Sequence, residues 1–289
     1  LKEYTGPDGY TTAVYRIRSG DRIREMEITR DAYYQGIVHP RVTEERVAYI
    51  DPDTGNVASK SEGGRFWREY LYSHADPEYP PGPEYPDDWT GRKAAYPVEF
   101  KPPRLSDVLK DTEILWDLMP YNYPKGIDDE GKNNGHPWDY RDHAIEKVSN
   151  WVEKTLPINQ QESPDDERPN QPVRIAATHN GNCGELQDLT IAAARSALIP
   201  ARGILMPGED HVWSEFYLGG WHQWDNYWSD GGGVVADNMN YWWGWGERGG
   251  SGLMATLGDG EVEDVGDNYR PSDVTGSLEV NVVDNSGLP

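Results

Sequence analysis

Apolar and polar positions alternate through residues 11–50, the period of two that places successive side chains on opposite faces of a strand. The run TAVYRIRSGDRIREMEITR predicts two strands about a Ser19-Gly20-Asp21 turn, and VTEERVAYID predicts a third, followed by the DPDTGN turn. Residues 62–74 have the spacing of a short helix. Residues 76–89, DPEYPPGPEYPDDW, are too proline-dense for a helix or a central strand and read as a linker or a surface-hugging connection. Residues 1–100 are therefore expected to be a β-rich accessory region with the Pro-rich linker at its end.

The period changes further along. Residues 104–119 have helical spacing, with Ser106 as the expected cap. A stronger helix is predicted over 140–155, where Ala144, Ile145, Val148, Trp151 and Val152 form one apolar stripe. Residues 160–171 read as a polar loop. The best helix covers 183–198, with Leu186, Leu189, Ala193 and Ala197 on one face, the turn HNGN before it and Pro200 after it. PARGILM, HVWSEFYL and WHQWDNYW then read as three strands, followed by long Gly-rich loops. The end, GSLEVNVVDNSGLP, alternates like a strand. The expected class is α+β.

Composition narrows the function. Fifty acidic residues against 27 basic give a formal charge of −23. Such a surface repels phosphate backbones, so nucleic acid is not an expected partner. No run of 18 apolar residues is present, so no membrane-spanning helix is expected. Twelve Trp and 18 Tyr supply core bulk despite 36% hydrophobic residues. The single cysteine, Cys183, excludes an intrachain disulfide and a multi-cysteine metal site. The start at Leu1, without Met, suggests an upstream segment that has been removed.

Cys183 stands at the first turn of the best helix, where free amides and the helix dipole favour a thiolate and can also receive an oxyanion. A thiolate nucleophile needs a base and a group to orient that base. His211 opens one strand and Asp225 lies in the next. With a two-residue Gly219-Gly220 loop they face opposite sides. With a three-residue Leu218-Gly219-Gly220 loop, Tyr217 pairs with Trp221 and Trp213 with Asp225, which makes His211 and Asp225 diagonal neighbours on one face. The glycine available for the left-handed loop position favours the three-residue form.

GNCGELQDLTIAAARSALIPARGI, DHVWSEFYL and GWHQWDNY together resemble the transglutaminase-like (papain-like Cys-His-Asp) superfamily. The shared features are Cys at a helix start, the R-x-x-x-IPAR segment, His before Val-Trp, and Asp in W-x-x-W-D. The Asn-Cys-Gly-Glu stretch is similar to the peptide:N-glycanase branch, although the paired Cys-x-x-Cys zinc motifs of that branch are absent. The resemblance covers roughly 105–275 and assigns 101–272 to the transglutaminase-like domain. It implies a nucleophile helix packed on an antiparallel sheet, with Cys183 as nucleophile, His211 as general acid and base, and Asp225 as the residue that orients the imidazole. It also implies acyl transfer on protein or peptide amides. Residues 273–289 resemble the opening of an Ig-like or carboxypeptidase-regulatory β-sandwich, which implies an extracellular or cell-surface, multidomain protein.

Blander readings stand beside these. The Cys183 amide is the expected oxyanion donor, and His179, Asn180 or Asn182 are candidates for the second. Trp213 and Trp228 are candidate substrate contacts. The aromatic run Trp221, Trp224, Tyr227, Trp228, Tyr241, Trp242, Trp243 and Trp245 reads first as packing and second as the wall of a peptide or glycan cleft. Glu185 reads as a helix-dipole residue, and His222 as a surface residue facing away from Asp225. Asp-rich turns at 51–55, 164–166 and 259–267 are of a type that takes Ca²⁺, but none has EF-hand spacing, so they read as solvated loops. No metal or cofactor is expected. The rival to an enzyme is a non-enzymatic surface module on the same fold, binding a cell-surface polymer, glycan or protein, with a vestigial triad.

Overall fold

A computed structural model of the chain describes residues 2–19, 21–73, 104–117, 143–156, 169–178, 181–207, 211–226, 234–235 and 252–269. The linker at 76–89, the polar loop at 160–168 and the end segment after Arg270 lie outside these residues.

Strand β1 (Lys2–Thr5), which the sequence reading did not predict, pairs with the first of the two strands that the alternating stretch forms, β2 (Thr11–Ser19) and β3 (Arg22–Glu27), all antiparallel, with Ser19 opposite Arg22 across the turn. Alternation does its expected work in β2: Ala13, Tyr15 and Ile17 are buried and the intervening residues are less so. A short helix α1 (Arg30–Tyr33), capped by the Thr29 hydroxyl, runs into a π-helical turn at Tyr34–Val38. Residues 42–51 do not continue as a strand. The Glu45 carboxylate instead accepts from the amides of Val42 (2.6 Å) and Thr43 (2.9 Å), folding the chain locally, and only Ile50 makes bridges, to Val57 and Arg65.

Helix α2 spans Trp67–Ser73, within the predicted 62–74. The helix predicted over 104–119 is much shorter. Helix α3 covers Leu105–Leu109 with Arg104, not Ser106, at its cap position, and Asp111 follows in the left-handed region at φ 63°. Asp tolerates that conformation and it cannot continue a helix. The chain then extends, and β4 (Trp116–Asp117) pairs in parallel with β2. Helix α4 (Ala144–Thr155) buries Ile145, Val148, Trp151 and Val152 of the predicted stripe, with Ala144 half-buried, and is capped by the His143 ring, which accepts from the Glu146 amide. Helix α5 (Pro172–Thr178) has no counterpart in the sequence reading. It is too short to show a period, and Pro172 at its first position was the available signal.

Helix α6 (Cys183–Ser196) is the centre of the fold. Every residue from Glu185 to Ser196 is buried, so this helix is enclosed rather than amphipathic. It packs on α2, α4, α5 and the π-helical turn, and on strands β5 (Ala201–Met206) and β6 (His211–Tyr217). Its buried polar side chains are partnered. Gln187 donates to the carbonyls of Ile204 (2.8 Å) and Trp213, and Arg195 donates to those of Ala201 (2.8 Å) and Arg41 (2.6 Å). A Cβ on Gly203 would lie 3.1 Å from the Gln187 amide, so glycine lets helix and sheet approach this closely.

The second sheet is antiparallel throughout, in the order β10-β9-β5-β6-β7-β8, with β7 at Trp221–Asp225, β8 at Val234–Val235, β9 at Met254–Thr256 and β10 at Val262–Asp264. A short helix, α7 (Gly266–Tyr269), follows. The β9–β10 hairpin and α7 fall where only Gly-rich loops were expected. One cluster of buried side chains runs from Ala13, Tyr15 and Ile17 through α4 and α6 to Phe216 and Trp224, so residues before and after position 100 share it. A smaller cluster (Ile204, Met206, Trp213, Leu253, Ala255, Val265, Tyr269) lies on the other face of the second sheet. No helix among the described residues is long and apolar enough to cross a membrane.

Candidate active site

Cys183 is the first residue of α6 and is partly exposed. The N-cap is Asn182, whose amide donates to the Glu185 carboxylate at 2.7 Å. Glu185 therefore does more than complement the helix dipole: its side chain, 3% exposed, ties the start of the helix to its first turn. Gly181 makes room for it, since a Cβ there would lie 2.3 Å from Glu185 Cβ. The earliest amides of the helix, including that of Cys183, have no acceptor within the helix and are available to an incoming oxyanion.

The second and third residues come from the hairpin of β6 and β7. Tyr217 is opposite Trp221 and Ser214 is opposite Trp224, which sets Trp213 opposite Asp225. The loop is the three-residue form, closed by a bond from the Leu218 amide to the Gly220 carbonyl (2.7 Å), with Gly219 at φ 76°. His211 and Asp225 thus share a face. His211 Nε2 lies 2.9 Å from Asp225 Oδ2, with 4% and 3% of their side chains exposed. Next to Asp225, the Asn226 amide nitrogen donates to Thr190 of α6 at 2.9 Å, which fixes the end of β7. Trp224, just before Asp225, donates to Ser149 of α4 at 2.6 Å and fixes the strand further.

The imidazole also hydrogen-bonds the Cys183 side chain, so the three side chains form one connected chain. Burial pulls the His211 pKa down, but the bonds to Asp225 and Cys183 and their negative charges outweigh it and raise it from 6.5 to about 9. His211 is therefore protonated at neutral pH.

The other candidates are distributed differently. Asn182 sits beside Cys183, and its Oδ1 is buried with no partner among the described residues. Trp213 is 1% exposed and its indole N–H is engaged by the Tyr269 hydroxyl at 3.1 Å, so it stands behind His211 and not in an open cleft. His222 is on the opposite face of the hairpin from Asp225 and is half-buried, stacked on Phe216, where a surface position was expected. Within the aromatic run, Trp224 is core and Trp221 packs against Tyr217 and the Arg202 guanidinium. His179, Asn180, Tyr227, Trp228, Tyr241, Trp242, Trp243 and Trp245 lie outside the described residues.

No group of three or more His, Cys, Asp or Glu among the described residues is placed to hold a metal ion. In the 51–55 turn, the Asp51 carboxylate accepts from Asp53 and Thr54, and Arg174 takes the carbonyls of Pro52 and Asp53. A cleft of about 580 Å³ opens at the far end of α6, lined by Tyr15, Arg68, Tyr72, Leu109, Ala197 and Leu198 among others. A 14-residue helix is roughly 20 Å long, so this cleft is remote from Cys183. Sequence reasoning missed Gln187, Glu215, Arg202 and Tyr269. The alternation of HVWSEFY signals the face of Glu215, and nothing local signals Tyr269.

No curated protein matches the chain. Among solved structures, it is similar to one described as "a Putative Cysteine Protease from Cytophaga hutchinsonii", at 14% identity and a TM-score of 0.25. That likeness covers 52% of this chain and 53% of the other, about half of each. Residues 132–228, which contain Cys183, His211 and Asp225, match the model of the transglutaminase-like superfamily.

Proposed function

We propose that the chain is a thiol acyl-transfer enzyme acting on protein or peptide amides, with Cys183 as nucleophile, His211 as general acid and base, and Asp225 orienting the imidazole. The observation that carries this reading is the connected chain from Cys183 through His211 to Asp225, its nucleophile end at a helix N-terminus.

The sulfur attacks the carbonyl carbon as the thiolate, and the oxygen of the tetrahedral adduct turns toward the free amides at the start of α6. As the adduct collapses, the C–N bond breaks and the imidazolium gives its proton to the departing amine. The thioester left on Cys183 is then attacked by water or a second amine, whose proton passes to His211 while the sulfur departs. Asp225 accepts from Nε2 throughout, so the other ring nitrogen, Nδ1, is the one that faces the sulfur. Supporting the enzyme over a vestigial module, Cys183 is partly exposed and the imidazole is within its hydrogen-bonding reach.

The test is the rate of Cys183 alkylation by iodoacetamide across pH 5–9 in the natural protein and in His211→Ala. The expected result is fast labelling near neutral pH that drops at least tenfold in the variant. Equal and slow labelling in both proteins sinks the reading. Mass spectrometry of protein incubated with glutamine-containing peptides and a primary amine then separates hydrolysis from transfer.

A further inference from the structure

On the face of the second sheet that carries His211 and Asp225, a buried polar chain runs away from the imidazole. The Trp213 ring lies against it, centroids 5.6 Å apart and planes inclined by 31°. The Trp213 indole donates to the Tyr269 hydroxyl (3.1 Å), and that hydroxyl donates to Glu215 Oε1. The other Glu215 oxygen accepts from Arg202 Nε at 2.6 Å, and Arg202 Nη1 reaches Glu263 at 2.7 Å. The Arg202 and Glu215 side chains are 3% and 0% exposed. The Arg202 guanidinium also covers the Trp221 ring, 4.3 Å from its centroid.

We propose that Tyr269, held by Glu215 and Arg202, is a positioning residue for His211 that acts through Trp213. This rests on the reading of His211 as the acid and base. The hydrogen bonds to Asp225 and Cys183 hold the ring nitrogens but do not fix the tilt of the ring about the line through them. An aromatic face against the ring removes that freedom, and its π-electrons favour the imidazolium. The Trp213 ring can do this only if it is fixed itself, and its sole polar atom is bonded to Tyr269. Burying an Arg–Glu pair is costly unless every member is satisfied, and a satisfied buried network defines one geometry. Burial and the Glu215 carboxylate both hold the Tyr269 pKa well above its ordinary value, so the hydroxyl keeps the proton it donates. Tyr269 ends α7, beyond the superfamily match at 132–228. A segment outside that match thus completes the support of the site.

The experiment compares Tyr269→Phe, Trp213→Phe and the double variant, each retaining an aromatic ring. The His211 imidazole is titrated by NMR, its signal identified by its absence in His211→Gln, and Cys183 alkylation is measured at pH 7. Each single variant is expected to lower the His211 midpoint by about half a pH unit and alkylation by about threefold. The double variant is expected to do no more than the worse single one, because both changes delete the same hydrogen bond. A loss of thermal stability with an unchanged His211 midpoint overturns the proposal and leaves the network a purely structural one. The NMR titration needs no reactive thiol. An unreactive Cys183 in the natural protein therefore refutes the enzyme reading separately, while the midpoints still decide this one.

Discussion

The Thr43 hydroxyl donates to Asp188 Oδ1 at 2.5 Å, joining a loop near the N-terminus to the buried middle of α6. Asp188 is 6% exposed. Burial raises its pKa well above the ordinary value, the Thr43 bond opposes this, and the nearby carboxylates of Glu45, Glu185 and Glu44 reinforce it. A carboxyl whose folded pKa exceeds its unfolded value binds more protons when folded. Its effect is therefore most favourable below about pH 4 and is lost progressively as pH rises. Asp188→Asn keeps the acceptor for Thr43 and removes the ionisation. It should raise the Tm at pH 8 by roughly 2–4 °C, the effect of about 1 kcal/mol, with the gain shrinking toward pH 4. Melts at the two pH values check this. A variant that is less stable at both would show that Asp188 is ionised and needed as a carboxylate.

His211 contributes with the same sign, in a higher pH window. Its folded pKa of about 9 exceeds its ordinary 6.5. Its stabilising contribution is complete below about pH 6.5 and disappears as pH rises through 9, amounting to on the order of 3 kcal/mol. Asp225→Asn removes the charge opposite Nε2. Its stability should change much less between pH 6.5 and 9 than that of the natural protein, and its rate of acyl-enzyme formation should fall about 10²- to 10⁴-fold. An unchanged pH slope in urea denaturation would mean that another group sets it.

What was legible in the sequence was what local pattern encodes. The Leu186–Ala197 spacing and Pro200 mark α6, and the glycines after Leu218 specify the loop that sets His211 and Asp225 on one face. What was illegible depends on competition or distance. Residues 42–51 alternate like a strand, yet the Glu45 carboxylate captures two of their amides. The helical spacing of 104–119 fails at Asp111. Helix α5 is shorter than two full turns of any stripe, and Tyr269 meets Trp213 across 56 residues. The enclosure of α6 could not be read either, because Gln187, Asp188 and Arg195 look like a polar face until their buried partners are known.

Gly181 is expected to matter for reactivity although it carries no side chain. A methyl group there would collide with Glu185 Cβ at 2.3 Å and Cγ at 2.8 Å. Gly181→Ala should displace Glu185 from the Asn182 amide, shift the first turn of α6, cost about 1–2 kcal/mol and slow Cys183 alkylation. Adding Glu185→Ala removes the obstacle, and the double variant should regain alkylation relative to Gly181→Ala alone. If it does not, the glycine serves the backbone conformation and not the fit of Glu185.

The R-x-x-x-IPAR segment forms the turn at the far end of α6, and Arg195 is its anchor. After Ala197 the chain turns at Leu198 (φ 62°), with the Ile199 amide returning to the Ala194 carbonyl (2.8 Å) and the Leu198 amide to that of Arg195 (3.1 Å). This turn sends the chain from α6 into β5. Arg195 holds both sides of it, donating from Nε (3.0 Å) and Nη2 (2.8 Å) to Ala201 and from Nη1 to Arg41 (2.6 Å). Burial weakens its hold on the proton, the Glu45 carboxylate strengthens it, and Arg68 opposes it. A planar fork satisfies these carbonyls simultaneously, whereas a lysine ammonium at the same site reaches fewer of them and sheds its proton more readily when buried. Arg195→Lys should therefore destabilise the fold by about 2–4 kcal/mol, read as a lower urea midpoint with an unchanged slope. A cost close to zero would show that the charge alone, and not the geometry of the fork, secures the passage from helix to sheet.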